Sequence, residues 1–308
     1  MTAEIFQDLG RAPVIKEFVS SRASSGDTKS LINGVGRGGR RDGVEEDGGR
    51  VGAYWGEMGV TGRRRWRMVA MGQTALSGER LRQTDEFLAE AWADLVRHDE
   101  RLRGTTVEVR FDRGVAHLTG AVADPAQLRL VRELIGRLSG VLGVWCRVAV
   151  GGRAPVVVDL GCGATKQWPG NLGLDIYPAP GVNAVANLAG SLPLRDASVD
   201  VFFAVHIVEH LIDFLPLFDE CHRVLRPGGV LHVMSPWWRH VNAVADPTHV
   251  RLLDVQTFKG ICGQRPPGTP RWYPLHVGCD GASIFADLTP LPPDAPPPPA
   301  SHLARFFD

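Results

Sequence analysis

The sequence predicts an α/β protein: a doubly wound, mostly parallel sheet with a terminal antiparallel hairpin, preceded by a small α+β unit and a disordered N-terminal region. Three observations lead there. The stretch Val156 to Asp175, VVVDLGCGATKQWPGNLGLD, joins two apolar runs, each ending in an acid, across a glycine-rich turn. Val156, Val157 and Val158 are β-branched and suit a strand buried on both faces, as in a covered parallel sheet. Beyond them apolar strands alternate with connections, which is how doubly wound sheets are built. Upstream, between about Leu81 and Val150, helical and alternating periodicities follow one another in a short space.

The 308 residues allow two domains and a sizeable core. Lys plus Arg equals Asp plus Glu at 34 each, so no global field recruits nucleic acid or a membrane. Cys146, Cys162, Cys221, Cys262 and Cys279 are scattered without metal-ligand spacing, which points to a reducing cytoplasmic setting. The first residues, MTAEIFQDLGRAPVIKEF, mix acids with apolar residues and lack the uninterrupted core of a secretory signal. No apolar stretch reaches the length of a membrane span.

Four segments are expected: a Gly/Arg-rich disordered region over 1–76, the small unit over 77–151, the large α/β domain over 152–291 and a proline-rich tail over 292–308. GVGRGGRRDGVEEDGG and GRRRWR show almost no apolar period. Arg37, Arg40, Arg41 and the Arg63 to Arg67 cluster could touch RNA or acidic lipid, but Asp42, Glu45, Glu46 and Asp47 offset them, so nucleic acid is not an expected partner. Translation from Met68 or Met71 would leave this region out altogether.

In the small unit Phe87, Leu88, Ala91, Trp92 and Leu95 recur at helical spacing. Val107, Val109 and Phe111 alternate with charges, Asp112 to Gly114 turns the chain, and Val115 to Gly120 returns as a second strand. Asp124 is placed to cap a helix with Pro125 at its first position and Leu128, Val131, Leu134, Ile135 and Leu138 on one face. Val144, Cys146, Val148 and Val150 share one face of a last strand. This order, with GVAHLTGAVADPAQLRLVRELIGRLSGVLGVWCRVAV, resembles the BON domain. That resemblance implies a noncatalytic module with phospholipid or another ligand as partner, and hence a peripheral membrane contact.

At the glycine turn, a dinucleotide fingerprint would want a small residue where Lys166 stands, and no Gly-Lys-Ser/Thr supplies a phosphate loop. Asp-Leu-Gly-Cys-Gly followed by Leu-Gly-Leu-Asp instead resembles class I S-adenosylmethionine-dependent methyltransferases of the small-molecule type, with a Rossmann-like fold. VANLAGSLPLRDASVDVFFAVHIVEHL, L-R-P-G-G-V-L and DPTHVRLLDVQTF add to the likeness. The resemblance implies S-adenosyl-L-methionine as cofactor, held by Asp159, Gly161, Cys162, Gly163, Asp175, Ile176, Asn187, Leu188 and His206. Asp175 would accept both ribose hydroxyls, Asn187 stands where the family carries an acid toward the adenine amino group, and Leu188 would pack on the ring. Only twelve positions separate Gly163 from Asp175, and they include Trp168, Pro169 and Gly170, so the first helix should be short or irregular.

His206 and His210 lie i, i+4 in an H-x-x-E-H order that an inverted zinc-protease motif shares. The segment ends a strand and does not continue a helix, so no metal is expected. His249, with Asp246 to fix its tautomer, is the expected general base, and His206 is a further catalytic candidate. Asp200 reads as a structural turn acid and PLPPDAPPPP as a polyproline-like, disordered tail. The expected reaction is in-line attack by an acceptor nucleophile, a small molecule, on the sulfonium methyl. The alternative is a noncatalytic lipid- or ligand-binding protein on a degenerate methyltransferase fold. With the domain boundary near 152, a fragment from Ala154 to Leu291 would fold alone.

Overall fold

The computed structural model describes residues 78–308, all of which belong to one compact unit. The expected disordered region and its arginine clusters lie outside the described residues.

The small unit opens with α1 (Gly78–His98), followed by a single 3-10 turn at Glu100–Leu102. Strands β1 (Glu108–Asp112) and β2 (Val115–Thr119) pair antiparallel. Arg113 and Gly114 between them take φ of 52° and 78°, the two left-handed residues that a tight hairpin turn demands. Both of their N–H groups donate to the Asp85 carboxylate, which ties the turn to α1. After the short β3 (Ala121–Val122), α2 (Pro125–Gly136) starts as expected: the Asp124 carboxylate accepts from the N–H groups of Ala126 and Gln127. The expected last strand divides. β4 (Gly143–Cys146) runs parallel to β2, while β5 (Ala149–Val150) leaves to pair with β3. Leu88, Trp92, Leu118, Val131, Ile135, Val144 and Cys146 form the core of this unit.

The large sheet has seven strands: β6 (Val157–Leu160), β7 (Leu172–Asp175), β8 (Ala184–Val185), β9 (Val199–Val205), β10 (Leu225–Pro236), β11 (Trp272–Cys279) and β12 (Ser283–Pro290). Their order is β11-β12-β10-β9-β6-β7-β8. The pairs from β8 to β10 are parallel, and β12 is antiparallel to both β10 and β11, as the sequence led one to expect. Strand order therefore reverses at β6, where open α/β sheets form their ligand crevice. Asp200 is the structural acid anticipated: it receives a bidentate Arg153, Arg226 and the N–H of Val156 at 2.7 to 2.9 Å.

Alternation along the strands sends side chains to two differently covered faces. On one, Phe202, Ala204, Leu231, Val233, Ile284 and Ala286 pack with Leu217, Phe218 and Cys221 of α3 (Leu215–Val224), and with Phe258 and Ile261 of α5 (Val255–Gly263). On the other, Val157, Val201, Phe203 and Phe285 pack against Val115 of β2 and Trp145 of β4. A doubly wound sheet normally has helices on both faces, but here the connection from Gly161 to Asn171 is too short to form one. The small unit's sheet takes its place. The two segments thus share a core across residue 152.

The tail also differs from expectation. Residues 300–307 form α6 (Ala300–Phe307), whose Leu303 and Phe307 are buried in the helix-side core. Its apolar residues at i and i+4 lie on one helix face, and the prolines before it hid that period. A second 3-10 turn at Val208–His210 and a short α4 (Asn242–Ala245) complete the elements among the described residues.

Candidate active site at the carboxyl edge

The glycine turn follows β6 directly. Gly161 and Gly163 have φ of 60° and 52°, a region open to glycine and strained for other residues. Sterics separate their roles. A Cβ at Gly161 would stand 1.8 Å from Cδ1 of Ile207, whereas one at Gly163 would meet nothing within 4 Å. Gly161 therefore admits the Ile207 side chain, and Gly163 presents bare backbone to open space.

Two acids hold the turn. The Asp175 carboxylate, at the end of β7, accepts from the N–H groups of Gly163 at 2.8 Å and Tyr177 at 3.0 Å, so one residue spans both halves of the motif. Each oxygen retains a lone pair for a further donor. Asp159 is buried, and its two oxygens accept from the Gln167 N–H at 2.6 Å and the Asn171 side-chain amide at 2.9 Å. Burial raises its pKa, with those two hydrogen bonds opposing the rise. Asp159 thus shapes the connection from within instead of offering an acceptor outward. Cys162 is likewise structural: its N–H donates to Leu174, its buried thiol lies 3.6 Å from the Gly181 carbonyl, and burial pushes the thiol pKa up.

Beyond Asp175, Ile176 and Tyr177 are 52% and 73% exposed and form an apolar shelf at the strand end. Asn187 is exposed; its side-chain oxygen accepts from the Ala189 N–H and keeps a second lone pair, and its amide N–H groups are available as donors. Leu188 is buried in the helix-side core. A cavity of about 50 Å³, lined by Asp159, Gly161, Cys162, Thr165, Gln167, Phe203 and Val205, opens beneath the turn.

His206 stands at the end of β9, beside the turn, because Leu160 pairs with Ala204 and both strands run on in the same direction. It is strained at φ 56°, its N–H bonded to the Met234 carbonyl. Its Nδ1 lies 3.1 Å from Oε1 of Glu209, and Oε2 of Glu209 accepts from the Ser235 hydroxyl at 2.7 Å. Burial pushes the Glu209 pKa up, but the bonds from His206 and Ser235 outweigh it and leave the acid below its ordinary value. An ionised Glu209 can only accept, which puts hydrogen on Nδ1 of His206, so in the neutral imidazole the lone pair is on Nε2.

The pair expected to do this, Asp246 and His249, does not. Asp246 spends Oδ1 on the backbone and hydroxyl of Thr248, bonds that lower its pKa, and Oδ2 is 3.9 Å from His249 Nε2. That is beyond hydrogen-bonding reach. The imidazole instead faces the Ala243 carbonyl through Nδ1 at 3.3 Å. Thr248 wins because it lies two residues along an Asx-type turn, the geometry an aspartate closes most readily. The Glu209 partner of His206, and the Ser235 hydroxyl behind Glu209, were missed, although His206 and Glu209 at i, i+3 in the sequence were a usable signal. Glu209, His210 and His249 also bring one potential ligand atom each within 4.8 Å of one another.

Residues 158–233 match the methyltransferase domain family and residues 84–152 match the BON domain family. A probable S-adenosylmethionine-dependent methyltransferase of Mycolicibacterium smegmatis is 56% identical over 50 residues, 16% of this chain and 19% of that protein. Another, of Mycobacterium tuberculosis, is 53% identical over 51 residues, 17% of this chain and 18% of that one. The chain thus spans about a fifth of the length of the curated relatives it matches. Among solved structures, an S-adenosylmethionine-dependent methyltransferase of Aquifex aeolicus is 16% identical, covering 44% of this chain and 82% of that one, with a TM-score of 0.33.

Proposed function

We propose that this chain catalyses S-adenosylmethionine-dependent methyl transfer to a small-molecule acceptor. The observation that carries the reading is the bond from the Gly163 N–H to Asp175, which sets bare backbone and a carboxylate side by side at the reversal point of the sheet. A nucleoside with two ribose hydroxyls and no pyrophosphate suits that donor set: two acceptor oxygens, open space at Gly163 and the Ile176–Tyr177 shelf. When bound, S-adenosylmethionine supplies an electrophilic sulfonium methyl. Gly161, Gly163, Asp175 and Ile176 would hold it, with Asn187 donating from the far side.

The chain's own contribution is alignment and proton removal. Fixing two reactants in line can supply about 7 to 11 kcal/mol. His206, with Glu209 behind Nδ1, has a lone pair on Nε2 to take a proton from an acceptor hydroxyl, a role typically amounting to about a hundred- to ten-thousand-fold in rate. It replaces His249 as the base. We further propose a cytoplasmic setting, in keeping with scattered cysteines that lack metal-ligand spacing. Among the described residues no helix is long and apolar enough to cross a membrane. Phospholipid contact through the BON-like unit would have to use its helices, because β2 and β4 face the large sheet.

Calorimetry on the full chain tests the proposal. S-adenosylmethionine and S-adenosylhomocysteine should bind, NAD should not, and Asp175→Ala should weaken both by about 1 to 3 kcal/mol. Unchanged affinity in a folded Asp175→Ala variant would remove the turn from the site. His206→Gln should keep cofactor affinity and lower turnover.

A further inference from the structure

Glu209, His210 and His249 converge from two elements. His210 ends the 3-10 turn Val208–His210, and His249 lies in the loop after α4. The Glu209 carbonyl accepts from the N–H groups of both Val250 and Arg251, at 2.9 and 3.1 Å, which holds that loop against the turn. One ligand-capable atom from each of the three side chains lies within 4.8 Å of the others.

Tautomer assignment sharpens the cluster. The Thr248 hydroxyl gives its proton to Asp246, so it can only accept from His210 Nδ1, 3.0 Å away. The Ala243 carbonyl likewise can only accept from His249 Nδ1. Both imidazoles therefore carry hydrogen on Nδ1, so in their neutral form the lone pair is on Nε2, the state in which histidine ligates a metal while its other nitrogen is anchored. Glu209 is 2% exposed, and His206 and Ser235 fix its orientation while each oxygen keeps a further lone pair.

We propose that Glu209, His210 and His249 bind a first-row divalent cation of the Zn²⁺ class. Two imidazoles and a carboxylate suit that class of metal better than Mg²⁺ or Ca²⁺. Tetrahedral ligation at about 2.0 to 2.2 Å sets ligand atoms about 3.4 Å apart. The 4.8 Å limit of the cluster is within small side-chain movements of that spacing. Three protein ligands leave a position open to an oxygen, so the cation could sit beside His206 without displacing it.

The sequence alone points the other way, because H-x-x-E-H follows a strand and does not set His206 and His210 on one helix. His206 instead turns to Glu209, and the second imidazole comes from His249.

The test needs neither cofactor nor turnover. Untagged full-length protein with Cys279→Ser, which removes the exposed thiol, is stripped with a chelator and titrated with Zn²⁺. One equivalent should bind, and His210→Gln and His249→Gln should each weaken it by about tenfold or more. His98→Gln, at an exposed residue on α1, should leave it unchanged. A second measurement avoids variants: carbethoxylation of His210 in this protein, read by peptide mass spectrometry, should fall severalfold when Zn²⁺ is present. Absent binding, binding unaffected in both variants, or equal modification with and without Zn²⁺ would each overturn the proposal.

Discussion

The two faces of the large sheet are built from the same strands and are covered in opposite ways. Toward α3, α5 and α6 the contacts are nearly all aliphatic or Phe, and alternation alone secures them. Toward the small unit the cover is aromatic and polar. Phe203 lies among Trp145 at 5.2 Å, Trp168 at 5.1 Å and His232 at 4.8 Å, while Arg147 stands over Trp168 at 5.0 Å. Fully buried His232 bonds Asp287 at 2.7 Å, and the same carboxylate accepts from the Val144 N–H of β4, also at 2.7 Å. A helix satisfies its own backbone, whereas a sheet laid on a sheet brings its edge groups and needs polar partners. The cover also steadies the candidate site, because Trp168 belongs to the connection that Asp159 and the glycine turn share.

Removing the cover should have the largest effect. Residues 154–308 without the small unit would expose Val157, Val201, Phe203 and Phe285, and we expect no cooperative thermal transition by circular dichroism. A fragment that melts cooperatively would break the comparison and restore the boundary near residue 152. Next, Phe203→Ala should cost about 3 to 5 kcal/mol in denaturant titration, as large-to-small core changes do. Phe258→Ala, on the helix face, should cost a similar amount, and a much smaller loss at Phe203 would make the aromatic face a loose contact. Asp287→Asn keeps the volume but leaves one acceptor for two buried donors, and the orphan should cost about 1 to 3 kcal/mol. An unaffected melting temperature would mean that the donors find other partners.

The smallest effect is conditional on pH. His117 packs on Trp145 and Trp168 at 5.4 and 5.6 Å, and burial, with Arg110 adding to it, lowers its pKa from 6.5 to about 4. The unfolded chain then binds the proton that the folded chain refuses, so this contribution is complete above pH 6.5 and lost as pH falls toward about 4. Near-ultraviolet circular dichroism of the tryptophans should report that loss, and His117→Gln should flatten the profile. Equal pH dependence in both proteins would rule out His117 as its source.

By itself the sequence determined what rests on neighbours along the chain. Periodicity placed the strands, Asp124 and Pro125 placed a helix start, Arg113 and Gly114 a hairpin, and the paired acids and glycines located the turn at the sheet edge. It also showed that the connection after Gly163 was too short for a full helix. Only the tertiary structure decided the consequence, since a bare sheet face accepts whatever apolar surface fits it, and local pattern carries no record of which. For the same reason Leu188 proved to be core, and the helix at Ala300–Phe307 was hidden behind prolines. The choice of imidazole followed the same physics: a carboxylate serves the donor that geometry brings within 3 Å or so. Thr248 reached Asp246 first, and strained His206 reached Glu209.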